Sequence, residues 1–412
     1  MHNKSKVALA LLSLLAMPGV AFAEGEEQAA ADKSKLKGIL SSVEWEFYGH
    51  LYPELVRISQ SGASAATDIT SNLAGPAGTN GTNHYEVNTS NSRIGLRAQR
   101  TLGSGLTAIA QLEYKIQHEA TGTNLTARDS FVGLRGGFGT VKLGAMDTVY
   151  KNVGDTLSFL GVSSGNIVSN SNILSKAGFG TSSSSSFHLR QPNSIVYQTP
   201  RIAGGQIQVQ YSPDESQSST KKANLWSFGA TYAIGDLYFG LGHEIHNDFF
   251  GGSRNVPTAL SNTANTNAAS KDTATRGTIG YKFGGTQVEG NYSQIKYDES
   301  GTLANGKFQN YKHNTWSIGA TQRFGPVRVS AAYASSGAGS CALVNVASCS
   351  TSGLKGNQFS LGAAYDFPEA SVFVLATRLT NGASAQHNNT EATAVSPGAD
   401  ISQIAVGISF RF

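Results

Sequence analysis

The chain is poor in three things: long apolar runs, cysteine and charge. After its first 23 residues, no stretch of the 412 residues approaches the roughly 18 uninterrupted apolar positions a membrane helix needs, and mean hydropathy is −0.19. Helical membrane spanning is thereby excluded. Two cysteines, Cys341 and Cys349, cannot complete a zinc shell without clustered histidines, so no metal and no other cofactor is expected. Charged residues make up 14% of the chain, with 31 Lys and Arg nearly balanced by 27 Asp and Glu. Such scattered, near-neutral charge does not suit nucleic-acid binding. Proline is scarce at 10, whereas glycine (47), tyrosine (15) and phenylalanine (19) are plentiful, as many short strands and turns require.

Residues 1–23 have the three parts of an export signal: Lys4 and Lys6, an apolar run from Val7 to Met17, and the small-x-small site Ala21-Phe22-Ala23 before Glu24. Removing them takes the net charge from +4 to +2, since Lys4 and Lys6 go with them. In an exported chain, two cysteines so close together in a Gly/Ser-rich stretch predict a local disulfide. A chain without helical spans that leaves the cytoplasm is either a soluble exported protein or a closed β-barrel, the two solutions that satisfy the backbone.

The final nine residues favour the barrel. Ile404, Val406, Ile408, Phe410 and Phe412 share one face, and Ala405, Gly407, Ser409 and Arg411 the other. A strand between hydrocarbon and water reads this way. Similar alternation recurs in sixteen segments between 44–58 and 401–412. In Ser92 to Gln99, Ile94, Leu96 and Ala98 oppose Arg93, Gly95, Arg97 and Gln99. Seven tight joints punctuate them: Gly103-Ser104-Gly105, Gly137-Phe138-Gly139, Ala203-Gly204-Gly205, Gly235-Asp236, Gly284-Gly285, Gly325-Pro326 and Pro368-Glu369. Between these lie long polar connections such as 59–90, 248–272, 337–355 and 381–400. Short turns at one end and long loops at the other are the signature of an outer-membrane barrel. Aromatics near segment ends (Trp45, Phe47, Tyr48, Tyr232, Tyr281, Phe283, Phe324, Tyr365, Phe367) predict an interfacial girdle.

Ser92-Arg93-Ile94-Gly95-Leu96, Leu102 to Ala108 with Gln111-Leu112-Glu113, Ser130 to Thr140, Asn193 to Tyr197 and the terminal Phe412 together resemble the Gram-negative trimeric porins. The resemblance covers about residue 44 to the end. It implies an all-β, transmembrane antiparallel barrel of 16 strands, short periplasmic turns, long extracellular loops and a third loop folded into the bore. The domains are then a signal peptide (1–23), a polar periplasmic extension (24–43) and the barrel (44–412). The family also implies a homotrimer in the outer membrane, contact with lipid and lipopolysaccharide, and barrel-assembly machinery reading Phe410 and Phe412 on the last strand. Small hydrophilic solutes and ions would diffuse through.

The third loop would run from about Asp147 to Leu189. Position makes Arg93, Arg97, Arg128, Arg135 and Arg190 candidates for the wall of the constriction, and Asp147 and Asp155 candidates on the loop. Opposed charges of that kind would sort solutes by size and sign, with a mild anion preference. The chain departs from the family in having Ala145 after Gly144 where an Arg is frequent, in the twenty residues before the first strand, and in the Cys341–Cys349 loop.

Catalytic motifs are not found. Gly301 to Lys307 has phosphate-loop spacing, but Phe308 stands where Ser or Thr must hold magnesium. His243-Glu244-Ile245-His246 is one residue short of the zinc-hydrolase spacing, and in a strand its histidines face opposite ways. An enzyme is therefore not expected. An exported β-rich adhesin without a bore is the competing reading, and it requires no lipid-compatible face.

Overall fold

The computed structural model describes residues 42–65, 69, 78–117, 125–154, 157, 166–179, 185–214, 218, 220–389 and 395–412. The signal peptide, nearly all of the 24–43 extension, and Asp155 lie outside the described residues.

Twenty strands form one closed antiparallel sheet. They are β1 (Glu44–Leu51), β2 (Glu54–Ser61), β3 (His84–Asn88), β4 (Arg93–Gly103), β5 (Leu106–Ile116), β6 (Leu125–Ala127), β7 (Ser130–Gly136), β8 (Gly139–Asp147), β9 (Arg190–Gln198) and β10 (Gly205–Pro213). There follow β11 (Asn224–Ile234), β12 (Leu237–Asn247), β13 (Ala268–Phe283), β14 (Thr286–Gly301), β15 (Phe308–Phe324), β16 (Val327–Ser336), β17 (Ser340–Leu343), β18 (Gly356–Asp366), β19 (Ala370–Asn381) and β20 (Asp400–Arg411). Four staves of the barrel are interrupted, so the twenty strands make sixteen staves. β1 and β2 break at Tyr52-Pro53, where proline has no N–H to give the ladder. β3 and β4 break around Ser90, whose φ is 47°. β6 and β7 break at Arg128-Asp129, and β16 and β17 at the Gly337–Gly339 segment. Closure comes from the first stave meeting the last: Glu54 to Ser61 pair with Gly407 to Asp400, and Leu51 with Phe410.

All seven expected joints are present between consecutive strands. At the first, Gly103, Ser104 and Gly105 have φ of 102°, 52° and 75°, the left-handed region glycine reaches without strain. Two of the connections expected to be plain loops carry short strands, β3 and β17. Both add to a neighbouring stave beyond a bend, and neither is long enough to show alternation in the sequence.

The period-two reading of faces holds at the seam. Ile404, Val406 and Ile408 are 55%, 52% and 52% exposed on the outside, whereas Ala405 between them is fully buried. One girdle assignment is corrected. Phe47 faces out, so Tyr48, its neighbour in a strand, faces in, where its hydroxyl donates to Glu113 Oε2 at 2.8 Å and Arg97 lies 4.0 Å over its ring. The interior is also not uniformly polar. Val56, Ile58, Phe373, Leu375, Leu379 and Ile401 point inward and pack with Ile167, Val168, Ile173 and Leu174 of the connection after β8.

β13, β14 and β15 have 16, 16 and 17 residues, well beyond the roughly 9–11 a tilted strand needs to cross hydrocarbon. Their upper ends project on the long-loop side and carry a second cluster of Tyr297, Phe308, Tyr311, Phe179 and Phe187. The Cys341–Cys349 disulfide, with Cα atoms 5.7 Å apart, clips β17 to the loop that follows it.

Candidate functional site

The connection from β8 to β9 enters the barrel instead of leaving it. Thr148 caps a single turn, α1 (Val149–Asn152), by accepting from the Lys151 N–H. The Val149 N–H donates to Gln210 Oε1 at 3.0 Å and the Tyr150 N–H to Ser227 Oγ at 2.8 Å, on inward faces of β10 and β11 just beyond β9. Glycine makes room there: a Cβ at Gly229 would stand 2.5 Å from Val149 Cγ1. Arg276 on β13, almost fully buried, donates to the Gly154 carbonyl and to Asn291 Oδ1, and Tyr238 donates to the Val153 carbonyl.

The described residues that follow meet the wall at further strands. The Asn166 amide donates to the Tyr52 hydroxyl at 3.0 Å, and Gln358 donates to the Val168 carbonyl at 3.0 Å. A second turn, α2 (Ser171–Leu174), offers its Leu174 carbonyl to Thr315 Oγ1 at 3.2 Å. Ser185 accepts from Tyr297 at 2.5 Å before the chain rejoins β9. Burial holds the Lys176 ammonium below its usual range, and burial together with Arg276 and Lys151 holds His188 well below its own. The described residues of the third connection thus pack against the side of the barrel built from β10 to β20 and β2. The side built from β1, β4, β5 and β7 to β9 stays open.

That open wall carries charge at two levels. At the level of the loop root, Arg190 donates to Asp129 Oδ1 at 2.6 Å and lies 2.8 Å from Asp147 Oδ1, whose other oxygen is 3.0 Å from Lys151 Nζ. Beside them Glu113 receives Arg128 at 2.7 Å, Arg93 at 3.5 Å and the Tyr48 hydroxyl. Nearer the tight-turn end is a recess of about 530 Å³ lined by Arg97, Arg135, Lys142, Glu44, Glu46 and Phe131 among others. Arg97 donates to Gln111 Oε1 at 3.0 Å and reaches Glu46 only at 3.5 Å; Arg135 donates to Gln99 Oε1 at 3.0 Å. Lys142 stands 4.7 Å over the Phe131 ring. Three basic groups against two carboxylates leave this level with a local surplus of one positive charge.

The five arginines named from the sequence do not form one set. Arg93, Arg128 and Arg190 are locked in ion pairs, and only Arg97 and Arg135 line the recess. Asp147, expected on the loop, is the last residue of β8 and sits on the same wall as the arginines. Asp155, the other acid expected on the loop, lies outside the described residues, and on the wall itself Glu113, Asp129, Glu44 and Glu46 are interleaved with the basic groups. Lys142 was missed. Its signal was available: Thr140, Lys142 and Gly144 alternate with Val141 and Leu143 and pair with Arg135, Gly133 and Phe131.

The profile of a family described as Gram-negative porin matches residues 8–384. Among curated proteins, the major outer membrane protein P.IB of Neisseria gonorrhoeae is 32% identical over 149 residues, 36% of this chain and 37% of that protein. Its counterpart in Neisseria lactamica is 32% identical over 147 residues, 36% and 38% of the two chains. The chain thus spans little more than a third of the length of these relatives. Among solved structures, an anion-selective porin from Comamonas acidovorans superposes with a TM-score of 0.64 at 21% identity, covering 90% of this chain and all of that one. OmpT, an outer membrane protein of Vibrio cholerae, gives 0.61 at 16% identity, with 90% and 98% covered. At these identities the structural likeness concerns the fold.

Proposed function

Since the chain belongs to the Gram-negative porin family, we propose that it is a passive outer-membrane channel through which small hydrophilic solutes and ions diffuse, with a weak preference for anions. One observation carries this reading: an inserted loop fills one side of a sixteen-stave barrel and leaves a recess lined by Arg97, Arg135 and Lys142 against Glu44 and Glu46. A bore of this size holds water, and fixed charge beside a narrow aqueous path raises the local concentration of ions of opposite sign. Arg93, Arg128 and Arg190 act mainly through their ion pairs, which hold the wall and the root of the loop in place. No chemistry is performed.

The same premise supports a homotrimer embedded in outer-membrane lipid, exported by the signal at residues 1–23. Phe410 and Phe412 on the closing stave are the segment offered to the barrel-assembly machinery. Phe412 packs 5.7 Å from Phe47 and exchanges backbone hydrogen bonds with Gly49, so this segment also completes the seam. The anion preference agrees with the name of the Comamonas acidovorans porin, whose fold this chain shares.

The test is reconstitution in planar bilayers. Discrete conductance steps are expected, in multiples of three for a trimer, and the reversal potential in a salt gradient should have the sign of an anion-preferring channel. Absence of steps would refute the channel, and a cation-sided reversal potential would refute the preference alone.

A further inference from the structure

The tight-turn end of the barrel has a second basic level, on the wall opposite the recess of Arg97 and Arg135. Arg323 near the end of β15 and Arg328 near the start of β16 are direct cross-strand partners. Both point inward, since Ile318 and Val329, of the other parity on those strands, are exposed on the outside. Opposed like charges with Cβ atoms about 5 Å apart destabilise an antiparallel pair. Asp366 answers both: Arg323 donates to its Oδ2 at 2.7 Å and Arg328 to its Oδ1 at 2.8 Å. One carboxylate thus serves two guanidinium groups. Lys282, inward at the end of β13, belongs to no ion pair of the described residues.

These three bases surround a recess of about 240 Å³. Lys282 faces Gln287 across the β13–β14 ladder, and Gln287 faces Thr321 across the next. An amide and a hydroxyl therefore stand in one row between the lysine and the arginine pair. Leu157 of the third connection closes one side. The other side opens at the Gly284-Gly285 turn, where the Arg323 side chain is 52% exposed. Three basic groups against Asp366 leave this level with a surplus of two positive charges. Glu289, two residues further in along β14, is buried and accepts from Asn291 Nδ2 at 2.8 Å.

We propose that this recess binds a compact oxyanion carrying two or more negative charges, of the size of inorganic phosphate or pyrophosphate, taken up from the solution on the tight-turn side. Arg323 gives Asp366 one of its N–H groups and keeps the others in their planar fork, Lys282 adds a point charge, and Gln287 and Thr321 supply neutral donors for the remaining oxygens. A monatomic anion brings one charge and cannot span donors on three staves, which is why the occupant is a multivalent oxyanion. The proposal rests on the mouth of the bore being open to solvent, as the channel reading requires.

Isothermal titration of the folded, detergent-purified protein with pyrophosphate, inorganic phosphate and chloride, at matched ionic strength, tests it. Saturable binding of pyrophosphate at one equivalent per chain is expected, with phosphate weaker and chloride giving no saturable heat. Lys282→Glu, a change at an exposed side chain, should weaken pyrophosphate at least tenfold. Lys282→Gln with Arg323→Gln should abolish binding while heat-modifiability stays that of the wild type, because Arg328 keeps Asp366. Arg135→Gln with Lys142→Gln, on the opposite wall, should leave the binding in place. Uptake rising linearly with concentration, wild-type affinity in Lys282→Glu, or loss only in the Arg135, Lys142 variant would each overturn the proposal. The titration does not read conductance, so steps without binding would sink this site alone, and binding without steps would sink the channel alone.

Discussion

Neutralising Arg135 and Lys142 together, as Arg135→Gln with Lys142→Gln, takes the recess from three basic groups against two acids to one against two, a change in local balance from +1 to −1. The size of the effect follows from Coulomb's law. A permeating monovalent ion passing about 5 Å from a wall charge in water feels about 0.8 kcal/mol, cut to about 0.5 kcal/mol by the ~10 Å screening length at 0.1 M salt. Two charges contribute about 1 kcal/mol to an anion and the opposite to a cation, so their ratio should shift by about 2 kcal/mol, roughly 30-fold. At 1 M salt, where the screening length is about 3 Å, the same sum gives only about threefold. The assay is the reversal potential of single channels in a potassium chloride gradient, centred first near 0.1 M and then near 1 M. The double variant should cross from the anion to the cation side at low salt and differ little from wild type at high salt. Reversal potentials equal to wild type at 0.1 M would mean that ions do not pass this wall. A shift of the same size at both salt levels would refute the screened-field account.

Four further outcomes are expected. Arg276→Met takes the buried guanidinium donor from the Gly154 carbonyl, while Asn291 Oδ1 keeps the Thr278 hydroxyl, a loss of about 1.5–3 kcal/mol in the docking of the third loop; noisier, larger conductance steps should result, and unaltered records would show the loop is held elsewhere. His188 is kept neutral by burial, its folded value lying below the ordinary 6.5, so the loop is fully docked above about pH 7 and loses up to about 1.4 kcal/mol per pH unit as pH falls below 6.5; closures or noise should rise in that window, and a flat pH response identical in His188→Gln would contradict it. At Gly49 a Cβ would lie 2.2 Å from the Phe412 ring, so Gly49→Val should push Phe412 from the seam and lower the heat-modifiable folded fraction, while Gly277→Val should not. Replacing Cys341 and Cys349 by serine opens a loop with a sequence separation of 8, worth about 2–3 kcal/mol on the chain-entropy estimate; protease should then cut between them faster, with conductance unchanged.

The sequence made the barrel legible because two simple rules act along its whole length. Side chains alternate with a period of two wherever one face meets lipid, and tight turns need residues that accept left-handed backbone. Both rules are local, so Gly103 to Gly105 or Ile404 to Phe410 can be read without knowing anything distant. The charged wall obeys a rule that is not local. Whether an inward arginine faces ions or is locked to a carboxylate depends on which residue stands opposite in the next strand, and register is invisible in one sequence. Arg128 and Arg135 look alike as basic residues of one segment, yet Glu113 beside the first and Gln99 beside the second separate a paired from a lining group. The path of the third loop was hidden for a related reason. Its direction is set by Gly229, Gly240 and Arg276, contributed by strands about 80 to 120 residues downstream, whose apolar or polar character says nothing of the partner they accommodate. Once those contacts are known, the asymmetry of the interior follows. The half of the barrel that carries glycines and inward aliphatics receives the loop, and the half that carries arginines, lysine and carboxylates is left to solvent because desolvating it would cost more than the loop could return.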